Sequence, residues 1–249
     1  MMCNKIFLFF TAINVGLLTS VGATYKNFQP YIGVTGGLEQ LSSKRDESFK
    51  EDDAAGDFLT TVFSNNKKMS KKSINLSLLT GFTYKPFDIP FVIGPEISWG
   101  RGATSSEFKD SSFENVGDTF RFYKSTLARK QNLSIAARFG YIFSDFLVSC
   151  AIGYDRGNFK LTRVLTYDPQ ALPTAQFGKS KALSGLLLGV GIERKFGSIG
   201  LGLDFRYTRY SRFNSNINVP VQAVVDPAIL RFSARPKIYT TALRVSYHF

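Results

Sequence analysis

Tyr239-Thr240-Thr241-Ala242-Leu243-Arg244-Val245-Ser246-Tyr247-His248-Phe249 alternates in character along its whole length. Tyr239, Thr241, Leu243, Val245, Tyr247 and Phe249 share one face of a period-2 strand, and Thr240, Ala242, Arg244, Ser246 and His248 share the other. A sheet in water would seal the first set in a core. A closed barrel in lipid turns that set outward and lines its lumen with the second.

Seven earlier segments repeat the pattern: Tyr31–Gln40, Ser73–Tyr84, Phe91–Gly100, Arg129–Ile142, Phe146–Arg156, Ala182–Arg194 and Ile199–Tyr210; Lys237–Phe249 is the eighth. Their lengths are close to the ~9–11 residues with which a tilted strand crosses a bilayer. The connections alternate. Lys85–Pro90, Ser144–Asp145 and Lys195–Ser198 are short, whereas Leu41–Lys72, Arg101–Ala128, Gly157–Lys181 and Ser211–Pro236 are long and polar. The expectation is an all-β, eight-stranded antiparallel transmembrane β-barrel with short periplasmic turns and four long extracellular loops. The 24 Phe, 11 Tyr and 21 Gly suit strands and tight turns better than helices.

The two ends carry further signals. The closing Tyr247 and Phe249 resemble the C-terminal assembly signal of bacterial outer-membrane barrels, which implies the barrel assembly machinery as a partner. Met1–Ala23 has a cation (Lys5), an apolar run Ile6–Leu18 and small residues Val21 and Ala23 before the expected cut. The domain plan is thus a signal peptide over 1–23 and an outer-membrane barrel over 24–249. Cys3 falls within the signal, so the mature chain keeps only Cys150 and has no disulfide framework. The formal charge of +12 is scattered and no nucleic-acid motif accompanies it, so nucleic acid is not expected as a partner.

On the inward faces the alternation places Glu96, Arg138, Asp155, Glu193, Asp204, Arg206 and Arg244. Charges inside an eight-stranded barrel must pair or be hydrated. The expectation is an internal salt-bridge network that fills the lumen; a selectivity lining for a small pore is the other reading. Glycines 189, 191, 200 and 202 are expected to leave room for Arg138, Arg206 and Arg244. Trp99, Tyr84, Tyr141, Tyr154, Tyr207, Tyr239 and Phe249 read as two interfacial aromatic belts. The only histidine, His248, reads as a hydrated rim residue with no Ser/His/acid constellation around it. No catalytic, cofactor-binding or metal-ligating residue is expected, and the chain is not expected to be an enzyme. The acidic run Glu51-Asp52-Asp53 lacks the spacing of a calcium loop and reads as part of a solvated loop.

The opening strand Pro30-Tyr31-Ile32-Gly33-Val34-Thr35-Gly36-Gly37, the four long loops and the closing Arg244-Val245-Ser246-Tyr247-His248-Phe249 resemble the bacterial surface antigen family of rickettsial agents. That family includes the major surface proteins of Anaplasma and Ehrlichia and the Wolbachia surface protein. The resemblance implies a barrel in the outer membrane with loops exposed at the cell surface, meeting host surface molecules or antibodies, and porin activity in some relatives. It supplies no catalytic residues. The expected function is a surface antigen whose loops mediate host or environment contact on a rigid scaffold surrounded by outer-membrane lipids. A narrow porin-like channel is the alternative. An outer-membrane lipid-modifying enzyme is a third reading for which the sequence offers no candidate residue.

Overall fold

A computed structural model describes residues 27–52, 58–63, 69–86, 89–102, 104–110, 121–167, 175–219 and 228–249. The signal peptide expected over 1–23 lies outside them. The described residues form eleven strands: β1 (Phe28–Asp52), β2 (Phe58–Phe63), β3 (Met69–Tyr84), β4 (Phe91–Gly102), β5 (Ser105–Asp110), β6 (Arg121–Phe143), β7 (Phe146–Tyr167), β8 (Ala175–Phe196), β9 (Ile199–Tyr210), β10 (Phe213–Val219) and β11 (Ala228–His248). Eight of them form a closed antiparallel ring in the order β1-β3-β4-β6-β7-β8-β9-β11, with β11 pairing back onto β1. The closing seam runs from Tyr31↔His248 to Glu51↔Ala228. The eight-stranded antiparallel barrel expected from the alternation is therefore the architecture found.

Turn chemistry explains the tight end of the ring. Phe143 pairs with Phe146 across Ser144-Asp145, and Phe196 pairs with Ile199 across Gly197-Ser198. Each two-residue connection holds one residue at positive φ, Ser144 at 53° and Gly197 at 61°. Such values suit the right-handed twist of the flanking strands.

At the other end the structure corrects the expected loops. Much of Leu41–Lys72, Arg101–Ala128, Gly157–Lys181 and Ser211–Pro236 is strand: β1 runs on to Asp52, β6 begins at Arg121, β7 runs on to Tyr167, and β11 begins at Ala228. The short strands β2, β5 and β10 pair with β1, β6 and β11 and widen these extensions. The alternation hid them because the two faces exchange character along one strand. On β7 the exterior carries Val148, Ile152 and Tyr154, then Arg156, Asn158 and Lys160. The interior carries Ser149 and Asp155, then Phe159 and Leu161. The lower barrel is greasy outside and charged inside. The upper barrel has a buried apolar core of Leu41, Leu127, Phe159, Leu161, Leu183, Tyr210, Phe213, Phe232, Ala234 and Ile238. Phe213, an aromatic expected within a loop, is fully buried there against Phe232, with ring centroids 6.2 Å apart. This upper part is built as a sheet in water is built, with its apolar side chains inside.

A bulge adjusts β6 to the change. Its register to β7 shifts between Arg129 and Gln131, so both Arg129 and Asn132 point inward.

Candidate functional site: the charged lumen

In the lower barrel every ring strand shows large apolar side chains to the exterior. Examples are Ile32, Leu76, Ile97, Ile135, Ile152, Val190, Phe205 and Leu243, all more than 40% exposed. Trp99, Tyr154 and Tyr239 stand at the upper edge of this band, and Tyr84, Tyr141 and Phe249 at the lower edge. Tyr247 is exposed between Ile32 and Ile199, and the Phe249 backbone N–H donates to the Pro30 carbonyl at 3.0 Å. Cys150 is exposed within the exterior apolar row of β7.

Six of the seven lumen charges meet in one cluster. Glu96 from β4 lies 2.7 Å from Arg206, 2.7 Å from Arg244 and 3.9 Å from Arg138. Glu193 from β8 lies 3.3 Å from Arg138 and 3.1 Å from Arg244. Asp204 from β9 lies 2.9 Å from Arg206 and 3.4 Å from Arg244. Three arginines thus face three carboxylates, and Arg244 reaches all three acids. The Tyr31 hydroxyl from β1 donates to Glu96 at 3.0 Å, and its ring lies under the Arg244 guanidinium at 5.2 Å. Isolated, any one of these ions would be expensive to bury; together they compensate one another.

The glycines make room mainly for the acids. A Cβ on Gly191 would stand 2.5 Å from an Asp204 carboxylate oxygen, and one on Gly200 would stand 2.5 Å from Glu193 Oε1. A Cβ on Gly202 would meet the β8 backbone at Ile192 and Glu193. Gly189 alone lies beside an arginine, with its Cβ position 3.5 Å from Arg206 Cγ. The expected beneficiaries, the arginines, were mostly the wrong partners.

Asp155 does not join this cluster. It belongs to a second polar tier nearer the upper barrel, where it accepts hydrogen bonds from Asn132 Nδ2 at 2.6 Å and from the Tyr210 hydroxyl at 2.5 Å. Arg129 donates to the Tyr210 oxygen at 2.9 Å and pairs with Glu39, which also accepts from Thr104. Sequence reasoning missed Glu39, Arg129 and Tyr210. Glu39 was legible, because it falls on the inward face when Leu38 faces out. Tyr210 shares the parity of Thr208 on β9 and was legible for the same reason. Arg129 was not, because the bulge breaks the parity between it and Asn132.

His248 corrects its expectation. It is 1% exposed, not hydrated at a rim. Its Nε2 lies 2.9 Å from Glu193 Oε1 and its ring packs on Tyr31 with centroids 5.4 Å apart. The seam pairing of Tyr31 with His248 places the two rings together inside the barrel.

Around the six-ion cluster the lumen is closely packed. The void among Glu96, Arg138, Asp204, Arg206 and Arg244 measures about 10 Å³. That is room for one water at most. Above it the apolar core of the upper barrel closes the same axis.

No family model and no curated protein matches the chain. Among solved structures it is similar to the outer membrane protein OprG of Pseudomonas aeruginosa, with a TM-score of 0.50, 14% identity, and 90% of this chain and 98% of that one covered. It is also similar to the outer membrane protease OmpT of Escherichia coli (TM-score 0.44, 13% identity, 93% and 99% covered). The attachment invasion locus protein Ail of Yersinia pestis is similar with a TM-score of 0.34, 14% identity, and 88% and 99% covered. What the chain shares with OprG at this identity is the fold, a membrane-type β-barrel.

Proposed function

We propose that this protein is an outer-membrane barrel whose lumen is sealed and whose upper hairpins act as a surface-presented platform for contact with a host or the environment. The observation that carries the reading is the reversal of polarity along the ring strands. A lower band with apolar exterior and ionic interior suits lipid; an upper part with polar exterior and apolar interior suits water. A barrel that merely spans the bilayer has no use for strands as long as β1, β6 and β7, at 25, 23 and 22 residues. Their upper halves form a stiff stalk that lifts the connections away from the membrane, and rigid scaffolds that present loops are a recurrent way to place binding residues. The rickettsial surface-antigen resemblance fits this role, and host surface molecules or antibodies are its proposed partners.

The porin-like alternative has the filled lumen against it. Planar-bilayer recordings separate the two: the sealed platform predicts no steady single-channel steps from the purified barrel. Sustained ion-selective openings that change when Arg138 or Arg206 is replaced would overturn it. Protease treatment of intact cells tests presentation. Cleavage is expected only in the connections at the upper end, and cleavage at Ser144–Asp145 in intact cells would invert the topology.

A further inference from the structure

The exterior of the barrel carries a band of cations directly above the upper aromatic edge. Lys72 on β3, Arg101 on β4, Lys130 on β6, Arg156 on β7 and Arg209 on β9 are all exposed, as are Lys44 on β1 and Arg235 on β11. The register links several of them across neighbouring strands. Arg209 pairs with Lys237 and Arg235 with Lys44; Arg101 lies opposite Gln131, next to Lys130 on β6. The carboxylates whose side chains are described on the ring strands, Glu39, Glu96, Asp155, Glu193 and Asp204, are all buried inside. No carboxylate described on the ring strands therefore stands among these cations, and Glu107 on β5 pairs with Lys124 at 3.1 Å. Among the described residues at the lower edge, Arg194 pairs with Asp145 at 3.3 Å.

Two exterior grooves sit in this band on different strands. One, of about 400 Å³, is lined by Tyr154, Ser184, Leu186, Arg209 and Arg235. The other, of about 500 Å³, is lined by Ile74, Trp99, Arg101 and Lys130. In each, an aromatic of the lipid-facing band meets two cations: Arg209 is level with Leu186 and Tyr154 in the strand register with Arg235 one step higher, and Arg101 stands one step above Trp99 with Lys130 beside it. In the first groove the Tyr154 hydroxyl also bonds to the Ser184 hydroxyl, which adds neutral polar groups between the apolar and charged edges. Both grooves match a molecule whose apolar tail packs on the aromatic and whose phosphate reaches the cations.

We propose that these two grooves bind the anionic phosphate headgroups of lipids in the leaflet surrounding the upper edge of the barrel, with Arg209 and Arg235 holding one phosphate and Arg101 and Lys130 another. The inference rests on the membrane reading above and deepens it by naming the lipid chemistry. Arginine suits the role because its planar donor fork matches phosphate oxygens. The acyl chain would lie along Leu186 in one groove and Trp99 in the other.

The test uses the full barrel purified in a non-ionic detergent, with phosphatidic acid and phosphatidylcholine as probes and bound lipid counted by native mass spectrometry. The wild type is expected to retain phosphatidic acid in preference to phosphatidylcholine. Arg209→Gln with Arg235→Gln, and separately Arg101→Gln with Lys130→Gln, should weaken retention by roughly 5-fold per cation removed at low salt. All four positions are exposed, and a wild type with no preference for phosphatidic acid would by itself overturn the proposal. So would a fourfold variant that retains lipid as the wild type does. Inorganic phosphate that displaces the lipid at equal concentration would show a site for the bare anion and overturn the lipid assignment. A barrel that stays soluble and monomeric without detergent would instead remove the membrane reading itself, a failure recognisable before any lipid is added.

Discussion

Glu96→Gln is the substitution that most sharply tests the closed lumen. Glu96 lies within ion-pair reach of Arg138, Arg206 and Arg244, accepts from Tyr31, and is 4% exposed. Glutamine has nearly the same volume, so the change opens no cavity. It removes one of three acids facing three arginines and leaves a buried uncompensated positive charge. Breaking a buried pair in this way costs about 3–5 kcal/mol. Urea unfolding from lipid vesicles measures the loss. Trp99 is the only tryptophan, sits on the exterior of the same strand three positions away, and reports the transition. A second variant, Glu96→Gln with Arg206→Gln, restores the balance and should recover a large part of the loss, which a merely packed lumen would not do. A water-filled lumen predicts a different number: exposed pairs are worth only about 0.2–1 kcal/mol. A loss below about 1 kcal/mol for the single variant, with no recovery in the double, would refute the sealed network.

Other consequences can be read in the same unfolding experiment. Val190→Arg places a charge in the middle of the exterior row between Leu188 and Ile192 on β8, and should cost about 2–4 kcal/mol in a bilayer; a change within about 0.5 kcal/mol, the usual value for a surface in water, would mean that this face does not meet lipid. Tyr210→Phe removes the donor to Asp155 and the acceptor for Arg129, and should cost about 1–3 kcal/mol; wild-type stability would show that the second polar tier contributes nothing net. Gly191→Ala puts a methyl 2.5 Å from the Asp204 carboxylate and should cost about 1–3 kcal/mol. Gly36→Ala, whose Cβ would find nothing nearer than Leu76 Cδ1 at 3.8 Å, should be close to neutral, and equal losses at the two glycines would refute the packing argument.

The lower barrel was legible in the sequence because lipid imposes a simple rule on it. Where one face must be apolar over a whole crossing, the period-2 pattern of Leu201, Leu203, Phe205 and Tyr207 against Gly202, Asp204 and Arg206 is unambiguous, and β9 runs from Ile199 to Tyr210 as expected. The upper barrel was not legible, because its apolar residues change sides. Phe159 and Leu161 on β7 occupy the inward parity that Asp155 holds lower down, so a scan for one continuous apolar face stops at Arg156. The inward charges were also readable, but not their grouping. Parity puts Asp155 and Asp204 on the same side of the wall; only the stagger of the ring puts one beside Tyr210 and the other beside Arg244. His248 was misjudged from its position near the last residue, since pairing with Tyr31 across the seam carries it inward.

That seam has a kinetic consequence. The strands it joins come from opposite ends of the chain, so each of the other ring pairings can form from shorter loops, and closure carries the largest entropic cost. Until it closes, β1 and β11 present two bare edges, each with a row of unsatisfied N–H and C=O groups. The Arg244–Glu96 and His248–Glu193 contacts also need β11 in place. An unzipped intermediate therefore holds unbalanced ions as well as open edges, and it is the stage at which this chain would most readily pair with a second copy of itself.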